Sequence, residues 1–320
     1  MREIIFHVDV GKEEGWGHIQ ETINIINCVR LETKNYSLLI KQDKSVKKIL
    51  NNLGHKVNYI SNLENDIEDK IVISNLIKID KKYKKLVKRK SYFWIIITEN
   101  KKDEVADLNF NISLEPKYFP LNDIFSKAKK FHYRKDINKI FISFGGSDPK
   151  NITLLVLEFI RQGVEREEIS KNIKLEVIVG SLFQYDKAIK SVIKNFPLKC
   201  EFYKSLSQNK FRDLAQSCDI AITTGGGTMY EFCSLGMPVI IIPILNKMRR
   251  NALFYKRKNA IILLGRADRI CAQNLISAIN KLKQYRHRRR IGINAKSVID
   301  GKGANRISSK IIKICKKSEL

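Results

Sequence analysis

Short apolar runs rich in β-branched residues alternate with amphipathic stretches along nearly all of the chain. That alternation predicts parallel strands joined by crossover helices. In the first half the predicted strands are Glu3 to Val8, Tyr36 to Ile40, Lys56 to Ile60, Lys70 to Ser74 and Tyr92 to Thr98, with helical stretches between them. A polar, proline-bearing passage from Leu114 to Asp136 breaks the pattern and reads as a linker. The alternation restarts at KIFISFGG, and further strands are predicted at Leu175 to Gly180, Cys200 to Tyr203, Asp219 to Thr224, Pro238 to Pro243 and Ala260 to Leu264. The expected architecture is α/β, with two doubly wound, Rossmann-like domains, 1–134 and 135–320, facing across a cleft. Ligands of such sheets bind beyond the carboxyl ends of the strands.

A length of 320 residues suits two cores rather than one. A content of 43% apolar and 29% charged residues is that of a globular protein. No window approaches the ~20 apolar residues of a membrane helix, and MREIIFHVDV lacks the shape of a signal peptide, so the expected location is the cytoplasm. The six cysteines are scattered without a C-x-x-C pair, which argues against a zinc cage or a redox dithiol. They read as reduced and mostly buried, and neither a metal nor a cofactor is expected. The net charge of +27 comes from lysines spread along the whole chain. It is compatible with a solvated basic surface, with attraction to an anionic ligand, or with peripheral contact at an anionic membrane. Specific nucleic-acid binding is not expected, because no stacking motif or recognition helix accompanies the charge. The densest basic runs, Asp80 to Lys90 and Lys283 to Arg290, read as exposed helix faces.

Three glycine-bearing loops follow predicted strands. In DIAITTGGGTMYEFCSLGMPVIIIP, Asp219 to Pro243, a strand ends at Thr224, three glycines turn the chain, and a helix opens near Thr228. Glycines let backbone approach a phosphate, and the free N–H groups and positive dipole end of the helix attract its charge. The pattern matches neither the dinucleotide fingerprint nor the Walker loop. Glu231, one turn beyond Gly227, is placed to accept the hydroxyls of a ribose. In FGGSDPKN, Gly145 and Gly146 end a strand, and Ser147 or Asp148 can either cap the next helix or face a ligand. Near the start, GWGHIQE sets His18 behind Gly15 and Gly17, either as a catalyst at the mouth of a cleft or as a polar residue opening a helix.

GGGTMYE followed by SLGMPVIIIP, then Asn246 and Asn251-Ala252, resembles the nucleotide-sugar half of the GT-B glycosyltransferases related to the enzyme that adds N-acetylglucosamine to the lipid-linked peptidoglycan precursor. GWGH, ADLNFN (Ala106 to Asn111), FISFGGSDPKN (Phe141 to Asn151) and DGKGANR (Asp300 to Arg306) more closely resemble one branch of that superfamily, the UDP-sugar hydrolases of pseudaminic acid biosynthesis and their spore-coat polysaccharide relatives. The resemblance spans most of the chain. It implies a GT-B fold with UDP held mainly by the C-terminal domain and the sugar turned toward the N-terminal one. It also implies that His18 is the base for the attacking water. The implied substrate-binding set is Gly15, Gly17, Gly145, Gly146, Ser147, Asp148, Gly225, Gly226, Gly227, Thr228, Met229, Glu231, Asn246 and Lys247.

Three positions depart from the family pattern. An arginine usual after GxGH is replaced by Glu21, an Asp-x-Tyr after the fourth strand by Ser74-Asn75-Leu76, and an Asn-Gln pair by Asn246-Lys247. The function expected first is hydrolysis of a UDP-linked N-acetylated amino-sugar, with inversion at C1. The alternatives are a UDP-sugar-dependent glycosyltransferase and a non-catalytic UDP-sugar or polyanion binder.

Overall fold

In the computed structural model, which describes residues 2–9, 17–99, 103 and 105–318, the strands form two parallel six-stranded sheets. Gly15, one of the residues expected at the ligand, lies outside the described residues. The first sheet holds β1 (Ile4–Val8), β2 (Tyr36–Ile40), β3 (Val57–Tyr59), β4 (Ile71–Asn75), β5 (Phe93–Thr98) and β6 (Leu108–Asn111), in the order β3-β2-β1-β4-β5-β6. Its helices are α1 (Gly17–Val29), α2 (Lys44–Asn52), α3 (Leu63–Ile67) and α4 (Lys81–Lys90). After the short α5 (Asp123–Ser126), the second sheet holds β7 (Lys139–Ser143), β8 (Lys174–Val179), β9 (Cys200–Lys204), β10 (Ile220–Thr223), β11 (Val239–Ile241) and β12 (Ile262–Leu263), in the order β12-β11-β10-β7-β8-β9. The helices around it are α6 (Ile152–Glu165), α7 (Asp186–Lys194), α8 (Gln208–Ser217), α9 (Gly227–Leu235), α10 (Asn246–Arg257), α11 (Ala272–Lys283) and α12 (Tyr285–Val298), and α13 (Gly303–Lys317) ends the described chain. β6 was not predicted as a strand. Its four residues, LNFN, alternate asparagine with apolar side chains at a sheet edge and carry little hydrophobic signal.

Both sheets reverse their winding at one point, between β1 and β4 in the first and between β7 and β10 in the second. At such a point the loops leaving adjacent strands diverge and open a crevice at the carboxyl ends. The histidine-bearing loop leaves β1 and Asn75 ends β4. The two other glycine loops leave β7 and β10.

The chain divides into two compact units, Met1–Asp123 with Gly301–Leu320, and Ile124–Asp300. This corrects the expected division, which left the last helix with the second half. The buried stripe Ile307, Ile311, Ile312 and Cys315 of α13 packs against α1 in the first unit. Sequence shows that the stripe is apolar but not which surface covers it. The DGKGANR stretch makes this docking possible. A Cβ on Gly303 would lie 2.1 Å from the carbonyl oxygen of Phe119, Arg306 donates to the Lys117 carbonyl at 2.9 Å, and Asn305 accepts from the Cys28 thiol at 3.6 Å.

The basic runs are not simple exposed faces. α4 buries Val87, and its cations meet acids: Lys84 pairs with Asp103, Lys88 with Asp107, and Arg89 and Lys90 with Glu64 at 3.2 and 3.0 Å. In the second run Arg288 is 1% exposed. Its guanidinium donates to the carbonyls of Leu282 at 2.6 Å, Lys283 at 3.3 Å, Lys135 at 3.0 Å and Arg134, tying the end of α11 to the segment leading into β7. All six cysteines are free thiols, with Cys218, Cys233 and Cys315 buried, Cys28 and Cys200 half-buried and Cys271 exposed. Among the described residues, no helix is long and apolar enough to cross a membrane.

Candidate functional site

Each unit carries a group of functional side chains at its own switch point. In the second, β10 ends at Thr223 and the chain turns through Thr224, Gly225 and Gly226 into α9. Gly225 is required sterically, because a Cβ there would sit 2.4 Å from the carbonyl oxygen of Met248 in the first turn of α10. Gly227 has open space around it. No side chain caps α9, and the N–H of Met229 is taken by the Gly226 carbonyl at 3.0 Å. The N–H groups of Gly227 and Thr228 therefore remain as free donors at the positive end of the helix. Met229 itself is fully buried, so it serves the core and its side chain does not reach a ligand.

Glu231 stands on the next turn of α9. Burial pushes its carboxyl up to about 7, with no hydrogen bond or neighbouring charge acting against that shift. A half-buried carboxylate without donors is costly to the folded state and is suited to a ligand that brings hydroxyl donors.

The loop after β7 lies beside this turn, since β7 and β10 are paired. Gly145 takes φ +89°. A Cβ on Gly180, just past β8, would lie 2.4 Å from the Cα of Gly146, so the loop rests on Gly180. Asp148 is 1% exposed. Its Oδ1 accepts from the Ile152 N–H at 2.9 Å and its Oδ2 from the Thr153 N–H at 2.8 Å and hydroxyl at 2.6 Å. The carboxylate thus caps α6, the plainer of the two readings its sequence allowed, whereas Gly146 is exposed and Gly145 and Ser147 are half-buried. Asn246 and Lys247 are exposed in the first turn of α10, and the Asn246 carbonyl accepts from Arg266 at 3.4 Å.

In the first unit His18 opens α1, next to the exposed Gly17. Its Nδ1 is 2.8 Å from Oδ1 of Asn75 and 3.8 Å from Oε2 of Glu21. The Asn75 amide nitrogen donates to the His18 carbonyl, Glu21 Oε2 and Thr22 Oγ1, each at 3.2 Å. Glu21, which breaks the family pattern, and Asn75, the middle residue of the Ser74-Asn75-Leu76 stretch, therefore meet at the candidate base. Nε2 of His18 has no hydrogen bond among the described residues and is not a buried orphan atom, so it faces solvent.

Sequence reasoning passed over His7, Tyr83, Gly180 and Arg288. His7 belongs to the core: its Nδ1 meets the Tyr83 hydroxyl at 2.8 Å, Tyr83 meets Ser74 at 2.8 Å, and Ser74 accepts from the Trp94 indole at 3.0 Å. Burial lowers the His7 pKa to about 4. A histidine inside the strand EIIFHV was the only signal. Among the described residues no cluster of His, Cys, Asp or Glu is arranged to hold a metal ion.

Residues 140–307 match the glycosyltransferase family 28 C-terminal domain. Among curated proteins, an uncharacterized protein of Methanocaldococcus jannaschii is 29% identical over 75% of this chain and 55% of its own length. The spore coat polysaccharide biosynthesis protein SpsG of Bacillus subtilis is 26% identical over 63% of this chain and 58% of its own. A Helicobacter pylori protein named as a pseudaminic acid cytidylyltransferase and UDP-2,4-diacetamido-2,4,6-trideoxy-beta-L-altropyranose hydrolase is 24% identical over 72% of this chain and 42% of its own. The chain thus spans about half the length of these relatives. In fold it is similar to MurG of Acinetobacter baumannii, with a TM-score of 0.67 at 10% identity over 97% of this chain and 99% of that one. It is also similar to Anabaena HepE solved with UDP, with a TM-score of 0.60 at 13% identity over 99% of this chain and 100% of that one. The architecture is therefore the GT-B fold.

Proposed function

Because the chain belongs to the glycosyltransferase family 28 C-terminal domain family, we propose that it is a UDP-sugar-dependent enzyme that transfers the sugar from UDP to an acceptor hydroxyl, with His18 as the base. The observation that carries the reading is the pairing, on one helix, of N–H donors at Gly227 and Thr228 with the half-buried carboxylate of Glu231, none of them partnered among the described residues. The helix N-terminus suits a diphosphate and the carboxylate suits a ribose diol about one turn away. Ser147, Gly145 and Gly146 line the diphosphate from the neighbouring loop.

In the proposed reaction the acceptor oxygen attacks C1 of the sugar and its proton passes to Nε2 of His18. The C1–O bond to UDP breaks, its electron pair stays on the diphosphate oxygen, and C1 inverts. The N–H groups of α9 stabilise the charge that grows on the leaving diphosphate. Transfer is placed ahead of hydrolysis because the family match and the fold are those of glycosyltransferases.

A second reading, with water as the acceptor, is supported by the likeness to the Helicobacter pylori protein, whose name includes a UDP-sugar hydrolase. The chemistry at His18 is the same in both. Incubation with UDP-linked N-acetylated sugars, with and without lipid-linked and soluble acceptors, separates them. Transfer predicts UDP release only with acceptor, and hydrolysis predicts free sugar in water alone. In either case His18→Ala is expected to cut turnover by about 10²- to 10⁴-fold at unchanged UDP affinity. If UDP binds and no sugar donor is turned over under any condition, the enzyme reading fails.

A further inference from the structure

We propose that Asn75 and Glu21 are positioning residues for His18: Asn75 holds the imidazole as its Nδ1–H tautomer, leaving the Nε2 lone pair open, and Glu21 holds Asn75. This deepens the reading of His18 as a base and rests on it, yet the tautomer is measurable without turnover.

The count of donors and acceptors around Asn75 fixes the orientation of its amide. The Thr22 hydroxyl donates to the His18 carbonyl at 2.8 Å, so its oxygen is an acceptor toward Asn75. The His18 carbonyl and the Glu21 carboxylate are also acceptors only. All three sit 3.2 Å from one end of the Asn75 side chain, which must therefore be its NH2. The other end is then the carbonyl oxygen, and the imidazole nitrogen 2.8 Å away must carry a hydrogen. A neutral imidazole protonated on Nδ1 has its lone pair on Nε2, the atom that faces solvent.

An asparagine beside a histidine is ambiguous when its amide is free to flip, because the flipped amide would donate to Nδ1 and put the proton on Nε2. Such a histidine is no base. Here three acceptors prevent the flip. Glu21 also sets its carboxylate 3.8 Å from Nδ1, beyond hydrogen-bond range, so that its charge faces the ring. Arginine at this position would bring a donor to the Asn75 NH2 and a positive charge to the imidazolium. The departure at Glu21 is thus matched to the amide of Asn75.

The test is the nitrogen spectrum of the full chain carrying ¹⁵N-histidine, with His18 assigned by His18→Gln. The expected wild-type pattern is a protonated Nδ1 and an unprotonated Nε2. Asn75→Leu should shift His18 toward the Nε2–H form and lower kcat at least tenfold while UDP affinity holds, and Asn75→Asp, which still accepts from Nδ1, should restore the tautomer. Glu21→Gln keeps an acceptor for Asn75 and should keep the tautomer while lowering kcat severalfold. A wild-type Nε2–H tautomer, or an unchanged spectrum in Asn75→Leu that still binds UDP, overturns the proposal. An Nδ1–H tautomer together with full turnover in His18→Gln would support the network while removing the base role, so the two readings fail separately.

Discussion

Glu231 shows at the scale of one residue how the proposed binding role would be stored as instability. Its folded pKa of about 7 lies above the ordinary 4.5 because burial disfavours the charged form. Between those values the folded protein keeps a proton that the unfolded chain has lost. Its contribution to stability therefore falls as pH rises through that window, and the loss is complete above about 7. Ribose hydroxyls favour the carboxylate, so UDP binding should release protons near neutrality and tighten from pH 6 to pH 8. Calorimetry in two buffers of different ionisation enthalpy measures that release. Glu231→Gln should raise the apo Tm at pH 8 and leave it unchanged at pH 5, and should weaken UDP at pH 8 by about 1.5 to 3 kcal/mol. UDP affinity in Glu231→Gln equal to wild type would move the ribose elsewhere.

At the scale of elements, the glycines divide into those whose missing Cβ the packing requires and those with open space, which the proposed function turns toward the ligand. A Cβ at Gly180 meets the backbone of Gly146 at 2.4 Å, whereas one at Gly227 meets nothing within 4 Å. Gly180→Ala is expected to lower the Tm, by an amount equivalent to about 1 to 3 kcal/mol, and to weaken UDP by displacing the loop after β7. Gly227→Ala should leave the Tm nearly unchanged and weaken UDP alone. Equal losses of Tm in both variants would contradict this division. The same contrast explains what the sequence revealed. Strands such as FWIIIT and the turn TTGGG announce themselves through local composition, and the loop-to-helix geometry follows from it. β6 did not, being short, half-polar and at an edge. The partnership of His18 with Asn75 joins residues 57 positions apart. Its only trace in the sequence was that Glu21 and the two neighbours of Asn75, Ser74 and Leu76, broke a pattern.

For the whole molecule, the net charge of +27 and the interleaved chain path make separate demands. Much of the α4 run is neutralised by Glu64, Asp103 and Asp107, so the excess positive charge is spread over the surface and favours encounter with any polyanion, UDP-sugars included. The chain path is the stronger constraint. The stretch before β7 belongs to the second unit: Tyr133 donates to the Gly236 carbonyl at 2.8 Å, Arg134 pairs with the buried Asp219 at 2.9 Å, and Asp219 accepts from the N–H groups of Asn138 and Lys139 at 2.8 Å. A Cβ on Gly292 of α12 would strike both the Gly236 carbonyl oxygen and Tyr133, so this packing needs all three segments. A fragment of residues 124–300 keeps these ties and all the residues of the proposed UDP subsite. A fragment of residues 135–320 loses Tyr133 and Arg134 and leaves the Ile307, Ile311, Ile312 and Cys315 stripe of α13 uncovered. The first should be a cooperatively folding monomer that binds UDP within about tenfold of the full chain. The second should aggregate or melt well below it. Calorimetry and UDP titration of the two fragments decide the matter, and a 135–320 fragment as stable as 124–300 would show that α13 does not depend on the first unit for its cover.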